Sequence, residues 1–97
     1  MIFYEKSVAD IVKEVRIEQS ISPKIPDDNF TNYVKEGMYN INDSVGCMIN
    51  YDEDLEARVL LKNYVLYANH KRLAEFKELY IADYVKLQIK YNIDTSI

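Results

Sequence analysis

The sequence predicts an all-α fold: a small bundle of about four helices built around one long central helix at about residues 53–73. Three observations carry that expectation. Residues 59–68 (Val-Leu-Leu-Lys-Asn-Tyr-Val-Leu-Tyr-Ala) include eight apolar or aromatic residues, without Gly or Pro, a run too long for an ordinary strand. Asp52, Glu53, Asp54 and Glu56 crowd the start of the helix, while Lys71 and Arg72 sit in its last turn, the charge order that a helix dipole favours. Elsewhere, apolar residues recur at helical spacing, and no segment alternates with the period of two of a half-buried strand.

The first helix is expected at about residues 8–16. Val8, Ile11, Val12 and Val15 share a face, and Ser7 with Asp10 makes a capping-box variant with Asp in place of Glu or Gln. Residues 17–26 contain Ser22-Pro23 and Ile25-Pro26, whose pre-proline residues favour extended geometry, so this is a linker. Its Ile17, Ile21 and Ile25 are expected to pack along the domain. Asp27 or Asp28 then caps a second helix with a stripe of Phe30, Tyr33, Val34, Gly37, Met38 and Ile41. Gly37 costs about 1 kcal/mol relative to Ala there, which points to close approach of a neighbouring backbone. Gly46 is the expected stop.

The long helix has three apolar faces: Leu55, Val59, Asn63, Leu66, His70 and Leu73; Leu60, Tyr64 and Tyr67; and Leu61, Val65 and Ala68. The first is expected to pack on the second helix. A helix apolar nearly all round is buried nearly all round, as the rod of a bundle or beneath another subunit. Beyond it, Phe76, Leu79, Tyr80, Tyr84, Leu87 and Tyr91 form an offset stripe. A kink or short turn near residues 74–78, a last helix over about 80–91 and a frayed tail at about 92–97 are expected.

The chain reads as a single domain of 97 residues, 48% hydrophobic and 29% charged, able to remove roughly 65% of its unfolded surface from water. Its net charge of −4 argues against a nucleic-acid backbone as main partner. A single cysteine, Cys47, excludes an internal disulfide and suits a reducing compartment. The N-terminus has no signal-peptide pattern, and no apolar run approaches the roughly 20 residues that span a membrane. The sequons at Asn29 and Asn42 then read as coincidences.

The chemistry-bearing residues point away from catalysis. Cys47 and His70 read more simply as a small buried hydrophobe and a core-edge histidine than as nucleophile and base. The acids at 52–56 have a dipole explanation, and residues 40–48 lack the glycine and glutamate of a calcium loop. With only Gly37 and Gly46 there is no phosphate loop, and no helix carries a DNA-recognition pattern. No enzyme, cofactor or metal is expected. Tyrosine is the oddity: nine, against three phenylalanines and no tryptophan. Five of them fall on the last two expected helices. They suit either a surface covered in a complex or the core edge of a small bundle.

The order of segments resembles a known family. Val12-Lys13-Glu14-Val15-Arg16-Ile17 ends a short helix, and a polar loop leads into Asp27-Asp28-Asn29-Phe30-Thr31-Asn32-Tyr33-Val34. The long helix with Tyr64-Val65-Leu66-Tyr67-Ala68 follows, and residues 76–91 close the chain. Together these are similar to the small head–tail connector (adaptor, or head-completion) proteins of tailed bacteriophages and prophages. The resemblance spans nearly the whole chain and is one of element order and pattern, with no single diagnostic motif.

It implies an all-helical virion subunit, assembled in the bacterial cytoplasm, that docks beneath the portal protein after DNA packaging. Copies would form a ring, commonly twelve, that receives the downstream neck protein and lets DNA pass without specific binding. Neither catalysis nor a membrane is involved. The candidate interface comprises Tyr64, Tyr67, His70, Tyr80, Tyr84 and Tyr91, with Tyr67, Tyr84 and Tyr91 expected to be exposed in the monomer. A helical regulatory module is the alternative. A small metabolic enzyme is a lesser one, since Arg16, Arg58 and Arg72 are scattered.

Overall fold

A computed structural model describes residues 5–92, and these form five α-helices and no strand. Helix α1 (Glu5–Glu18) buries Val8, Ile11, Val12 and Val15 on one face. It ends with Ser20 in the left-handed region (φ 51°), Ile21 N–H donating to the Arg16 carbonyl and Ser20 N–H to that of Ile17. These paired bonds satisfy the last carbonyls of the helix. Ile21 and Ile25 of the linker lean on the core, but Ile17 is exposed.

Helix α2 (Asp27–Val45) is where the others gather: it packs against α1, α3 and α5. Its N-cap is Pro26, with no side-chain cap, so neither Asp27 nor Asp28 caps it. Both acids lie in the first turn, where the dipole favours them, and Asp27 also pairs with Arg16 of α1 (3.2 Å). Phe30, Val34, Gly37, Met38, Ile41 and Val45 are buried along one stripe, and Gly46 (φ 91°) stops the helix. A Cβ at Gly37 would lie 2.5 Å from Leu61 Cδ1 and 2.8 Å from Tyr64 Cδ1. The close approach at Gly37 is thus made by side chains of α3.

Helix α3 (Leu55–Asn69) is shorter and more two-faced than expected. Ala57, Leu60, Leu61, Tyr64, Val65 and Ala68 are buried, whereas Leu55 is 68% and Val59 54% exposed. The face of Leu55, Val59, Asn63, Leu66 and His70 therefore turns outward, and the two other faces supply the core. The helix stops because Lys71 adopts φ 58°, with Arg72 N–H donating to the Tyr67 carbonyl (2.8 Å) and Lys71 N–H to that of Ala68 (3.0 Å). This is the same left-handed cap as at Ser20, built without glycine.

The kink or short turn expected near 74–78 is instead a helix, α4 (Leu73–Leu79). The breaks fall on either side of it, at residues 70–72 and at Tyr80, after which α5 (Ile81–Asn92) begins. Tyr80 N–H still bonds the Phe76 carbonyl, and Tyr84 N–H that of Tyr80, so this second joint is a bend in a nearly continuous path. The expected frayed tail lies almost entirely outside the described residues. A four-helix bundle on a long central rod is thus replaced by five helices arranged about α2.

Candidate interaction surfaces

The tyrosines of the second half of the chain converge inward. Phe76 of α4 is fully buried, with Tyr64 edge-on at 5.4 Å, Tyr67 at 5.6 Å, Tyr80 stacked at 4.8 Å and Tyr84 edge-on at 6.1 Å. Offset and edge-to-face pairs of this kind add about 0.5–1.5 kcal/mol each beyond area burial. The cluster joins α3, α4 and α5. Tyr84 is only 4% exposed, and its hydroxyl donates to Asn40 Oδ1 of α2 at 2.7 Å. Burial, with Tyr64 nearby, pushes its hydroxyl pKa up to about 12.

Of the six sequence-predicted interface residues, Tyr64 and Tyr84 are therefore buried, and the expected exposure of Tyr84 is overturned. Tyr67, Tyr80 and Tyr91 are partly buried against the core, and only His70 is exposed. The aromatic cluster brings Tyr64, Tyr67, Tyr80 and Tyr84 together, while Tyr91 stands apart at the start of α3.

There Asp54 forms a junction. Its carboxylate caps α3 by accepting from the Ala57 amide (3.0 Å), and it accepts from Lys90 Nζ (3.0 Å) and the Tyr91 hydroxyl of α5. Burial alone raises its pKa, but the bonds from Tyr91, the Ala57 amide and Lys90 outweigh it and hold the carboxyl below its ordinary range. Buried Asn42 organises the α2–α3 connection: its Oδ1 accepts from the Tyr51 hydroxyl (2.8 Å) and the Ile49 amide (3.3 Å). On the far side, Glu14 of α1 lies between Arg58 and Lys62 of α3; its bond with Arg58 foremost keeps its carboxyl low. Each of these groups is engaged in holding helices together.

Cys47 lines a cleft with Tyr39, Asn42 and Asp43, whereas His70 lines one at the opposite end of α3, so the two are not brought together. Burial pushes the Cys47 thiol up, away from the reactive thiolate. Among the described residues, no three His, Cys, Asp or Glu side chains are grouped to hold a metal ion. No helix among them is long and apolar enough to cross a membrane.

Apart from Tyr39 and Met48, the large hydrophobic side chains exposed among the described residues are aliphatic. Two rows stand in solvent: Leu55 and Val59 on α3, and Ile81, Val85 and Ile89 on α5, with Leu79 just before them. The α5 row was absent from the sequence-predicted site, although its spacing of four residues was visible. No protein-family model, curated protein or solved structure matches the chain.

Proposed function

We propose that the chain is a structural subunit of a bacteriophage neck, a head–tail connector that docks beneath the portal and joins copies of itself in a ring. The observation that supports this reading is the outer face of α5. Ile81, Val85 and Ile89 stand one turn apart, and all three are exposed, Ile89 by 60%. Leaving such a row wet forgoes about 25 cal/mol for each Å² of apolar surface that a neighbour could cover. A repeated subunit covers it by setting one copy's α5 against a different surface of the next, the head-to-tail contact that closes rings.

The segments that carry the family resemblance keep their order as helices: α1, the polar linker into α2, α3, and then α4 with α5. A ring of about twelve copies and a downstream neck protein follow from that resemblance. So does a place in the virion, after assembly in the host cytoplasm. The acidic balance of −4 suits a channel through which DNA slides without being held.

The test is Val85→Asp and Ile89→Asp in a phage lacking its own copy of the gene. Exposed sites away from caps usually change stability by no more than about 0.5 kcal/mol, so both variants fold. Filled heads that leak DNA and lack tails are expected. Normal infectious particles from both folded variants refute the proposed surface, and a wild-type protein absent from particles favours a regulatory module.

A further inference from the structure

We propose that the outer face of α3 is a second docking surface, on which another copy of this chain lays its own α3 antiparallel about a two-fold axis. Leu55, Val59, Asn63, Leu66 and His70 follow one another at three or four residues, so they form a single stripe along the helix. Leu55 and Val59 are exposed and Asn63 and Leu66 partly so, and no helix among the described residues lies over the stripe. The stripe has opposite charge at its two ends. Glu53 and Glu56 are exposed at the start of the helix; Lys71 and Arg72, the latter also paired with Glu75, are exposed at its end, roughly 22 Å away for a helix of this length.

That polarity selects the occupant and its direction. A parallel neighbour would set acid against acid and base against base. An antiparallel copy sets the acidic end of each helix on the basic end of the other and opposes the two helix dipoles. The register follows from the stripe. Asn63 lies midway, so it falls on the axis; Val59 then meets Leu66 of the second copy, and Leu55 meets the His70 end.

A cleft of about 230 Å³ lined by Leu66, Tyr67, His70 and Arg72 waits there for the exposed Leu55. Asn63 donates one amide hydrogen to the Val59 carbonyl (3.1 Å), and across the axis the two Asn63 amides can bond each other. A lone polar residue in an apolar seam fixes register in this way. The Glu56 pairs with Lys86 and Lys90 are long, 3.6 and 3.9 Å, and exposed, so Glu56 can also face Lys71 of the second copy.

The contact is isologous and closes at two copies, unlike the ring contact on α5, and it does not rest on the connector reading. One helix face against another buries less than about 1,200 Å², which puts the dimer among the weak ones. Dissociation on the order of micromolar is expected, weakening further as salt screens the charged ends.

Sedimentation equilibrium on the full chain should show a monomer–dimer equilibrium. Val59→Asp, with helical content checked by circular dichroism, should weaken it by about tenfold or more. Glu56→Lys alone should weaken it as well, and Glu56→Lys with Lys71→Glu should restore it to within about threefold. With Cys47→Ser removing the native thiol, Asn63→Cys should form a disulfide-linked dimer on oxidation. A chain monomeric at all concentrations overturns the proposal, as does a dimer indifferent to Val59→Asp. A dimer sensitive to Val59→Asp but showing neither the charge-swap rescue nor the cross-link through Asn63→Cys overturns the antiparallel arrangement.

Discussion

Asp54→Ala tests the described structure at two places at once, because one carboxylate performs two separable tasks. It caps α3 through the Ala57 amide, and it anchors the end of α5 through Lys90 and Tyr91. Loss of an aspartate cap costs about 1 kcal/mol. Removing the acceptor also strands the Tyr91 hydroxyl at a partly buried site, worth about 1–3 kcal/mol, while the exposed Lys90 keeps its contact with Glu56. The sum, about 2–4 kcal/mol, is a large part of the stability expected for a domain of this size. Asp54→Asn separates the tasks: Asn caps about as well as Asp, so only the α5 anchor weakens. Urea denaturation followed by far-ultraviolet circular dichroism should rank wild type above Asp54→Asn above Asp54→Ala. Native-state hydrogen exchange should show α5 opening first in Asp54→Asn, since Tyr84 and Leu87 are its only fully buried side chains among those described. The pH dependence has a definite sign. A carboxyl depressed in the folded state contributes above its unfolded pKa of about 3.9, and the contribution is lost as pH falls below that value. Asp54→Asn should therefore flatten the acid limb of the stability profile. An Asp54→Ala variant within about 0.5 kcal/mol of wild type would refute the reasoning.

Four further outcomes follow from the packing. Leu61→Ala should cost about 2–5 kcal/mol in urea denaturation, whereas Val59→Ala on the outward face should stay within about 0.5 kcal/mol; equal losses would mean that α3 is rotated from its described orientation. Gly37→Ala gains about 1 kcal/mol of helix propensity but drives a methyl into the buried Leu61 and Tyr64, an overpacking that costs about 1–3 kcal/mol, so stability in urea denaturation should fall by up to about 2 kcal/mol net. Lys71→Gly relieves a left-handed residue with a side chain and should raise stability by about 0.5–1 kcal/mol, measured by thermal unfolding. Tyr84 titrates at about 12 in the folded state against 10.0 for the free side chain, so its contribution is complete below pH 10.0 and disappears towards about 12. Alkaline unfolding monitored by tyrosinate absorbance should accordingly be less steep in Tyr84→Phe.

The first half of the chain was legible because its boundaries are written in residues with strong local preferences. Two prolines mark the linker, Gly46 marks the end of α2, and Gly37 marks a close approach. The second half was misread at its joints for the opposite reason. Lys71 takes the left-handed position that glycine usually fills, and Tyr80 bends the path without breaking its hydrogen bonds. Neither residue announces a helix end, so α3 was expected to run on to 73 and α4 was expected to be a kink or short turn. The α2 cap failed differently. Two aspartates after a proline look like a cap, yet Pro26 takes that position and leaves both acids inside the first turn.

The orientation of α3 shows where periodicity stops being informative. Three apolar faces were visible, and sequence alone ranks them by content, not by which neighbours exist to cover them. The deciding fact lies on α2: Gly37 opens a slot that Leu61 and Tyr64 fill, and once they enter it, Leu55 and Val59 must point away. The same commitment moves the tyrosines inward. With Tyr64 turned towards α2, Tyr67 and Phe76 close over it, and Tyr80 at the end of α4 and Tyr84 of α5 complete the cluster. Residues that looked like a soluble interface are thereby used to hold a short, bent helical pair against the rest. The aliphatic rows on α3 and α5 are left outside this packing, and their spacing, visible in the sequence, did not say which rows a neighbouring helix would cover.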